Sequence, residues 1–345
     1  MHESKFRETI AAIPGPKWET TLPIGAFREL QVLTVMERFF SFIARCKVLG
    51  DSGSKIVFIK MFRNLKNRSA EVLQKKFNKD YEASQFWYGR FANCERFAVV
   101  KPVFSIPEQL ISVTEETPGK SLYQLVLQNA RWIPAVEKMR QLKNHFHQTG
   151  EWLKYKQSIL TIENETYSID ELADYLEVRF NILLEEPRRR FPKEYRDKVL
   201  DYITANQPAI TKNELAVTTN HSDFNPGNIL VDGKKVTVLD FGRLVTGSYL
   251  LDVSKLYFQL HLLTFKPQFR KSVICELQSS LLEGFGNRHA NELTMFRFLT
   301  IRNIITHLTN ITHFWRYGVA ERMYNAYAMR QELKLLDTVL MKKGG

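Results

Sequence analysis

The stretch of the chain from residue 221 to residue 242 constrains the fold more than any other. It reads HSDFNPGNILVDGKKVTVLDFG, with apolar runs at 229–231 and 236–239 on either side of Asp232-Gly233. Asp-Gly between two apolar runs predicts a β-hairpin, because both central residues of a type I′ turn need a positive φ. The chain is therefore expected to form a tight antiparallel pair of strands here.

The predicted turn also indicates which polar side chains lie at the open end of the hairpin. A two-residue turn at Asp232-Gly233 pairs Val231 with Lys234, Ile229 with Val236, and Asn228 with Thr237. Asn228, Asp240 and the loop that carries Asp223 should then lie together at the end opposite the turn. Pro226-Gly227 bends that loop back toward the strands.

These three side chains suit the chemistry of phosphate transfer. Carboxylate and carboxamide oxygens are ligands that Mg²⁺ accepts when it is bound together with substrate phosphates. Phosphoryl transfer needs a carboxylate that orients the attacking hydroxyl, and metal ions that bridge the phosphate oxygens. Asp223 fits the first role, whereas Asn228 and Asp240 fit the second. A purely structural hairpin is the alternative, and it leaves the coincidence of all three positions unexplained.

The spacing His-x-Asp-x-x-x-x-Asn from His221 to Asn228, followed by Asp-Phe-Gly at 240–242, is similar to the catalytic-loop and metal-loop pair of kinases. The absence of Arg between His and Asp, and the Pro-Gly-Asn ending, resemble the aminoglycoside phosphotransferase / choline kinase-like family more than protein kinases. This resemblance implies an α+β, two-lobed, protein-kinase-like fold with a β-rich N-terminal lobe and a larger helical C-terminal lobe. It also implies ATP and Mg²⁺ as cofactors, and transfer of the γ-phosphoryl group to a hydroxyl of a small molecule.

The apolar pattern before residue 62 predicts three strands, at 31–35, 40–48 and 55–62. Lys60 lies near the end of the third strand, on the same face as Phe58. The run IVFIK that ends at Lys60 resembles the phosphate-binding lysine strand of the kinase-like fold, which implies contact with an ATP phosphate. A solvated lysine at a strand end is the alternative. No Gly-x-Gly-x-x-Gly lies between the first two strands, so a glycine loop of the protein-kinase type is not expected to cover the phosphates.

Residues 70–88 are expected to form a helix. Its predicted apolar stripe consists of Leu73, Phe77, Tyr81, Gln85 and Tyr88. A kinase-like lysine needs a carboxylate from this helix to hold its ammonium group toward the phosphates. Glu82 begins the run EASQFW, which resembles the Glu-x-x-x-Leu pattern of the family, and is therefore predicted to hold Lys60. The alternatives are Glu71 as the partner of Lys60, or Glu82 as a plain surface charge.

The segment 113–119 resembles the connection at which backbone groups contact adenine in this fold. Glu116 and Thr117 are assigned to nucleotide binding by that resemblance alone. The break at Pro118-Gly119 predicts a boundary between an N-terminal nucleotide-binding lobe, 1–116, and a C-terminal catalytic and acceptor-binding helical lobe, 117–345.

Two other segments carry expectations of their own. Residues 1 to about 28 show little periodicity, and are expected to form a loosely attached arm or a short helix. Asp252 is expected to open a helix as its N-cap, with a brace for the catalytic loop as the alternative. His221 is expected to brace that loop rather than to take part in the chemistry.

The chain carries 49 basic and 37 acidic residues, a net charge of +12, which favours an anionic partner. The basic clusters lack interleaved aromatic residues, so nucleic acid is not expected; peripheral contact with a membrane surface is left open. No apolar run approaches the roughly 18 residues of a membrane helix, and the first ten residues lack the apolar core of a secretory signal. Three widely spaced cysteines, Cys46, Cys94 and Cys275, are typical of reduced thiols in a cytoplasmic protein.

The charge also bears on the acceptor. A polycationic aminoglycoside needs clustered carboxylates, so a chain of net charge +12 favours a neutral or anionic hydroxyl compound such as a sugar, a sugar phosphate or a lipid-linked glycan, although an amino alcohol remains open. The second class of function is a catalytically inactive kinase-like module that binds nucleotide or regulates a partner. Residue types competent for catalysis occupy all the predicted catalytic positions, which favours the enzyme.

Overall fold

The computed structural model describes residues 3–64, 69–160, 162, 165–186, 191–242, 244–312 and 318–341. The chain packs into two compact units, described separately below. The first unit comprises Met1–Ser121 and Asn228–Leu244, and the second comprises Leu122–Gly227 and Val245–Gly345. The predicted lobe boundary after residue 116 places the hairpin in the C-terminal lobe, whereas by packing the hairpin belongs to the first unit.

The elements of the N-terminal part, in chain order, are α1 (Glu3–Ala11), α2 (Gly15–Thr21), β1 (Phe27–Arg38), β2 (Ser41–Gly50), β3 (Ser54–Phe62), α3 (Ala70–Phe91), β4 (Phe97–Val99), β5 (Pro102–Ile106), β6 (Ile111–Glu115) and β7 (Lys120–Ser121). Those that follow are α4 (Leu122–Asn129), α5 (Val136–Ile159), α6 (Ile169–Glu185), α7 (Glu194–Asn206), β8 (Val217–Asn220), β9 (Ile229–Asp232), β10 (Lys235–Val238), β11 (Val245–Ser248), α8 (Leu251–Leu263), α9 (Lys271–Phe285), α10 (Thr294–Ile311) and α11 (Val319–Leu340). This mixture confirms the predicted α+β class, with a β-rich N-terminal part and a helical C-terminal part.

The large sheet of the first unit has the strand order β1-β2-β3-β6-β5. Its buried face packs against the two N-terminal helices, because Phe6 stacks on Phe42 with ring centroids 5.4 Å apart, and Trp18 meets Phe104 edge-on at 4.8 Å. Phe6 and Trp18 are fully buried. Of the two expectations for this segment, the short helix is therefore correct and the loosely attached arm is wrong, because two short helices supply one side of the core.

The opposite face of the same sheet carries Lys60. Side chains alternate along β3, so Val57, Ile59 and Met61 are buried in the core while Lys60 and Phe62 project from the other face. This confirms the predicted face of Lys60. The lysine thus emerges from a strand whose other side is anchored by apolar packing.

The predicted hairpin forms β9 and β10, but in a different register. Asp232 pairs with Lys235 and Ile229 with Val238, so the turn residues are Gly233 and Lys234. Only Gly233 has a positive φ, 57°, as a type II′ turn requires, and the predicted type I′ turn at Asp232-Gly233 is wrong. The shift is by two residues along the partner strand, so every side chain keeps its predicted face.

The hairpin is extended on both sides into a sheet of order β4-β10-β9-β7. The strand β4 runs parallel to β10, and β7 runs antiparallel to β9. Gly119 precedes β7 with a φ of 116°, and a Cβ atom there would lie 2.6 Å from the carbonyl oxygen of Val231. Only glycine permits this approach, so Gly119 allows β7 to join the hairpin.

The second unit is built from helices around the short antiparallel pair β8–β11. The helices α5 and α9 pack closely, because a Cβ atom on Gly150 or Gly284 would collide with the backbone of the other helix. Ser168 is the N-cap of α6, since its hydroxyl accepts a hydrogen bond from the Glu171 N–H at 3.3 Å. Among the described residues, no helix is long and apolar enough to cross a membrane.

Candidate active site

In the first unit the structure brings Asn228 and Asp240 to the same end of the hairpin. The Leu239 N–H donates to the Asn228 carbonyl oxygen at 2.8 Å, directly after the last paired residues of β9 and β10. Asp240 follows with a φ of 58°, a left-handed conformation that Asp tolerates better than most residues. Two oxygen-bearing side chains therefore originate at adjacent backbone positions, as the sequence predicts.

Asp240 also meets the predicted phosphate-binding lysine. The Lys60 Nζ donates to Asp240 Oδ1 at 2.5 Å, and lies 4.8 Å from the centroid of the Phe62 ring. The side chains of Lys60 and Asp240 are 23% and 52% exposed, so this ion pair is open to solvent. A pair of this kind costs little to separate, and both partners are therefore accessible to a charged ligand.

Glu82 is not the partner that the structure gives Lys60. Glu82 is exposed, whereas the residues of α3 that approach the Asp-Phe-Gly segment are on a different side of the helix. The Ser84 hydroxyl donates to the Phe241 carbonyl at 3.2 Å, and Asp80 Oδ1 lies 4.0 Å from where a Cβ atom on Gly242 would be. The structure therefore offers Asp80 as the carboxylate of α3 nearest the metal loop.

The buried side of α3 differs from the stripe that the sequence predicts. The side chains of α3 that are buried in the structure are Phe77, Ala83, Trp87 and Phe91. Trp87 packs on Phe241 with ring centroids 5.7 Å apart, which turns this side of the helix toward the metal loop. Asp80 and Ser84 share that side, whereas Glu82 points about 200° of helical rotation away from Asp80. The spacing i, i+4, i+7 of Asp80, Ser84 and Trp87 is the sequence signal that these three residues share one side of the helix.

The predicted nucleotide residues Glu116 and Thr117 follow β6. Arg45 binds the Glu116 carboxylate with both nitrogens, Nε at 2.6 Å and Nη2 at 3.1 Å, and this bond raises the pKa of Arg45. The Glu116 N–H donates to the Ile56 carbonyl at 2.9 Å. The side chain and the N–H of Glu116 are therefore used within the first unit, and in the described part of the chain the N–H of Thr117 has no such partner.

The catalytic loop belongs to the second unit and is held by a buried ion pair. Asp252, 2% exposed, accepts hydrogen bonds from Lys156 Nζ at 2.6 Å and from the N–H groups of His221 at 2.8 Å and Ser222 at 3.1 Å. Burial on its own raises the pKa of a carboxyl group, but Lys156 and His221 hold the pKa of Asp252 below its ordinary value. Asp252 is thus a brace for the loop, and the expectation that it is only a helix cap is wrong.

Asp223 lies in this braced loop and has a cationic neighbour. The Lys255 Nζ donates to Asp223 Oδ1 at 2.8 Å and to the Ser222 carbonyl at 2.8 Å. The Asp223 N–H donates to His221 Nδ1 at 3.3 Å, and the buried His221 ring packs edge-on against Phe224, so His221 has the expected bracing contacts. The loop therefore presents one carboxylate whose position is set by its own backbone and by Lys255.

Sequence reasoning missed two lysines of the second unit that contact the catalytic loop or its brace, Lys156 and Lys255. Lys156 lies far along the chain from Asp252, and no local spacing in the sequence predicts their contact. Lys255 had a signal, because it lies three residues after Asp252 on α8 and so shares the side of the helix that faces the loop. Ser222 in a left-handed conformation, with a φ of 62°, is a third feature that residue type does not predict.

Comparison with known proteins places these residues in a family. The model of the phosphotransferase enzyme family APH matches residues 99–276, which include the catalytic loop and the Asp-Phe-Gly segment. The chain belongs to this family. A search of curated proteins finds no match.

Solved structures share the fold of this APH-family protein at low sequence identity. Amicoumacin kinase hAmiN, in complex with AMP-PNP, Ca²⁺ and Ami, is 14% identical with a TM-score of 0.58, covering 97% of this chain and 96% of that chain. Choline kinase LicA from Streptococcus pneumoniae is 11% identical with a TM-score of 0.57, covering 97% and 99%. A glucosamine kinase in complex with glucosamine, ADP and inorganic phosphate is 15% identical with a TM-score of 0.52, covering 96% and 98%.

The residues present in this APH-family protein fit a divalent cation that is bound together with phosphates. No group of three or more His, Cys, Asp or Glu residues that could hold a metal occurs in the described ranges. Asn228 and Asp240 would offer two side-chain oxygen atoms, and a cation that retains waters and phosphate oxygens needs no more from the protein. The donor set thus suits Mg²⁺ with a nucleotide rather than a metal held by protein alone.

Proposed function

We propose that this protein is an ATP- and Mg²⁺-dependent phosphotransferase that moves the γ-phosphoryl group of ATP to a hydroxyl of a small molecule. The observation that carries the proposal is the solvent-open pair of Lys60 and Asp240. Lys60 offers a cation for a phosphate and Asp240 offers a carboxylate for a metal, and neither side chain is buried in the core. The family match supports this activity, and hAmiN binds AMP-PNP with a divalent cation.

The candidate site residues of the first unit have separate roles in this proposal. Asn228 and Asp240 would hold Mg²⁺, which neutralises the charge of the phosphate oxygens when it is bound. Lys60 would then exchange Asp240 for a nucleotide phosphate. Asp80 is the proposed carboxylate of α3 that holds Lys60 after this exchange, in place of Glu82. The N–H of Thr117, following the Glu116 that Arg45 holds, is the proposed contact for adenine.

Asp223 is the proposed catalytic carboxylate. It would accept or orient the proton of the acceptor hydroxyl, and removing such a group typically costs about 10²- to 10⁴-fold in rate. Lys255 Nζ donates to Asp223 Oδ1 at 2.8 Å and Asn225 Nδ2 donates to Asp223 Oδ2 at 3.3 Å, so both neighbours orient the carboxylate that would receive the hydroxyl. Lys255 would also bring positive charge close to the transferring phosphoryl group.

The proposed acceptor is a sugar or a related hydroxyl compound, consistent with the basic net charge. The solved relatives include kinases for glucosamine, for choline and for amicoumacin, so the fold accommodates different acceptors. The three cysteines are free thiols, which supports the proposed cytoplasmic location.

The test is release of ADP from ATP and Mg²⁺ with a panel of sugars, sugar phosphates and amino alcohols. Asp223→Asn should lower the rate of transfer by about 10²- to 10⁴-fold and retain the thermal shift that ATP and Mg²⁺ produce. Asp240→Asn should lose that shift. Asp232→Asn, an exposed change in the same hairpin, should leave both properties unchanged and serves as the control. A wild-type protein that binds no nucleotide would overturn the proposal, and one that binds nucleotide without turnover would favour a regulatory module.

A further inference from the structure

One aromatic ring in the second unit is stacked by two arginines. The guanidinium carbon of Arg179 lies 4.0 Å from the centroid of the Tyr175 ring, and that of Arg302 lies 4.1 Å from it. Tyr175 and Arg179 are one turn apart on α6, whereas Arg302 comes from α10. The stack therefore forms where these two helices pack. The separation of the two guanidinium carbons cannot exceed the sum of their distances from the ring centroid.

The Tyr175 ring is a fixed platform. The Thr306 hydroxyl donates to the Arg302 carbonyl at 2.6 Å, and the Tyr175 and Thr306 hydroxyls are 2.9 Å apart. Since the only proton of Thr306 is used by the carbonyl, the Tyr175 hydroxyl is the donor of the second bond. Both hydroxyls are thus occupied in holding the ring, and the two guanidinium groups remain to meet a ligand.

Neither guanidinium has a carboxylate partner in the part of the chain that the structure describes. The carboxylate of Glu177, on the same helix as Arg179, is bound instead by Arg196 at 2.7 and 2.9 Å. Stacking covers the face of a guanidinium and leaves its N–H edge available for oxygen atoms. Two half-buried like charges on one ring repel each other, and an anion between their edges would remove that cost.

The stack is connected to the catalytic loop through short contacts inside the second unit. Asn303, the neighbour of Arg302, donates from Nδ2 to the Ser254 hydroxyl at 3.3 Å, and Ser254 precedes the Lys255 that binds Asp223. Burial raises the pKa of the Tyr167 hydroxyl, and the positive charge of Arg302 opposes that rise. The Tyr167 ring lies 3.9 Å from where a Cβ atom on Gly247 would be. Gly247 belongs to β11, which pairs with the strand that leads into the catalytic loop.

We propose that Arg179 and Arg302, held on Tyr175, form a subsite for a phosphate monoester already present on the acceptor. This inference rests on the proposed phosphotransferase function and specifies its substrate class as a hydroxyl compound that carries a phosphate, such as a sugar phosphate. Two guanidinium groups match the charge of a phosphate, about −1.5 to −2 at neutral pH, better than that of a carboxylate. Each can offer two parallel N–H donors to the phosphate oxygens.

The direct test is equilibrium binding by calorimetry on the full chain, with glucose 6-phosphate, inorganic phosphate and glucose as probes. Glucose 6-phosphate should bind, and glucose should bind at least about tenfold more weakly, because it lacks the charge-assisted hydrogen bonds. Arg302→Gln and Arg179→Gln should each weaken glucose 6-phosphate by about tenfold or more. Arg140→Gln removes an equal charge from an exposed arginine that is paired with Glu137, and should change nothing.

The variant Arg302→Lys separates recognition of the phosphate from packing of the side chain. Arg302→Lys keeps the charge and loses the planar fork, so phosphate binding should be partly restored relative to Arg302→Gln while thermal stability is the same in both. Equal affinity in the wild type and both glutamine variants would overturn the proposal. Binding of inorganic phosphate with no gain from the sugar would assign the pair to free phosphate and would also overturn the acceptor role.

These results are independent of the proposed function itself. Binding of glucose 6-phosphate needs no turnover, so a protein that fails to release ADP can still confirm or refute the subsite. Conversely, an active enzyme that prefers unphosphorylated sugars, with turnover unaffected by Arg302→Gln, would refute the subsite and leave the phosphotransferase activity standing.

Discussion

A Lys–Asp ion pair of the first unit, Lys60–Asp240, and one of the second unit, Lys156–Asp252, differ in their environment rather than in their length. Lys60 and Asp240 meet at 2.5 Å with side chains 23% and 52% exposed. Lys156 and Asp252 meet at 2.6 Å with side chains 1% and 2% exposed. Water solvates the first pair and not the second. The first pair can therefore exchange partners, whereas the second can only be kept or broken.

This difference matches what each pair supports. The carboxylate of Asp252 also binds two backbone N–H groups of the catalytic loop, so the buried pair fixes that loop before any substrate arrives. The open pair holds a lysine and an aspartate that the proposed reaction needs separately. The rigid pair thus holds the loop that carries Asp223, the proposed catalytic carboxylate, and the exchangeable pair lies where the nucleotide is proposed to bind.

The largest expected effect is on the buried pair. Asp252→Asn leaves Lys156 without a counter-charge in the interior and should lower the free energy of unfolding by about 3–5 kcal/mol. Denaturant unfolding of Asp252→Asn and of the control Asp232→Asn measures this. A loss as small as that of the control would show that the two lysine–aspartate pairs do not differ in the way described.

Acid should remove the contribution of the same pair. The pKa of Asp252 is lowered in the folded protein, so its contribution is complete above the unfolded pKa of about 3.9 and is lost as the pH falls through the folded value. The double variant Lys156→Met/Asp252→Asn has no titrating pair. The free energy of unfolding of the wild type minus that of this variant should be constant from pH 5 to 8. Below about pH 4 this difference should fall, because protonation of Asp252 removes the contribution of the pair in the wild type only. A difference that stays constant to pH 2 contradicts the assignment.

A smaller effect is expected at the carboxylate of α3. Asp80→Asn should weaken binding of ATP with Mg²⁺ by about tenfold, as expected when one charge-assisted contact is lost. Glu82→Gln is the matched control on the same helix and should leave the affinity unchanged. The reverse result, with Glu82 sensitive and Asp80 silent, would restore the interpretation made from the sequence.

The smallest expected effect is on stability at the open pair. Lys60→Met should change the free energy of unfolding by no more than about 1 kcal/mol, because exposed ion pairs contribute little. The same variant should lose the thermal shift caused by ATP and Mg²⁺. A large loss of stability without any nucleotide would show that the open pair is structural after all.

Local patterns predicted the parts of the site that depend on neighbours in the chain. Asn228 and Asp240 were placed correctly at one end of the hairpin even though the turn was shifted, because a shift of two residues preserves the faces of a strand. The face of Lys60 followed from alternation along β3 in the same way.

Interactions between distant segments were not predictable from such patterns. The resemblance to the family motif predicts Glu82 on α3, whereas the packing of Trp87 on Phe241 turns a different side of this helix toward the Asp-Phe-Gly segment. Lys156 meets Asp252 through the packing of α5 and α8, which no spacing encodes. The N-terminal helices lack periodicity, but Phe6 and Trp18 are buried by the sheet that follows them.

The discontinuity of the first unit has a consequence for synthesis on the ribosome. The strands β4 and β7 find their partners in β10 and β9, which are translated only after the chain from Leu122 to Gly227. A polypeptide released at Ser121 would leave both strand edges open to other molecules, and it should be prone to aggregate. The nascent protein can complete the sheet β4-β10-β9-β7 only once Val238 has emerged.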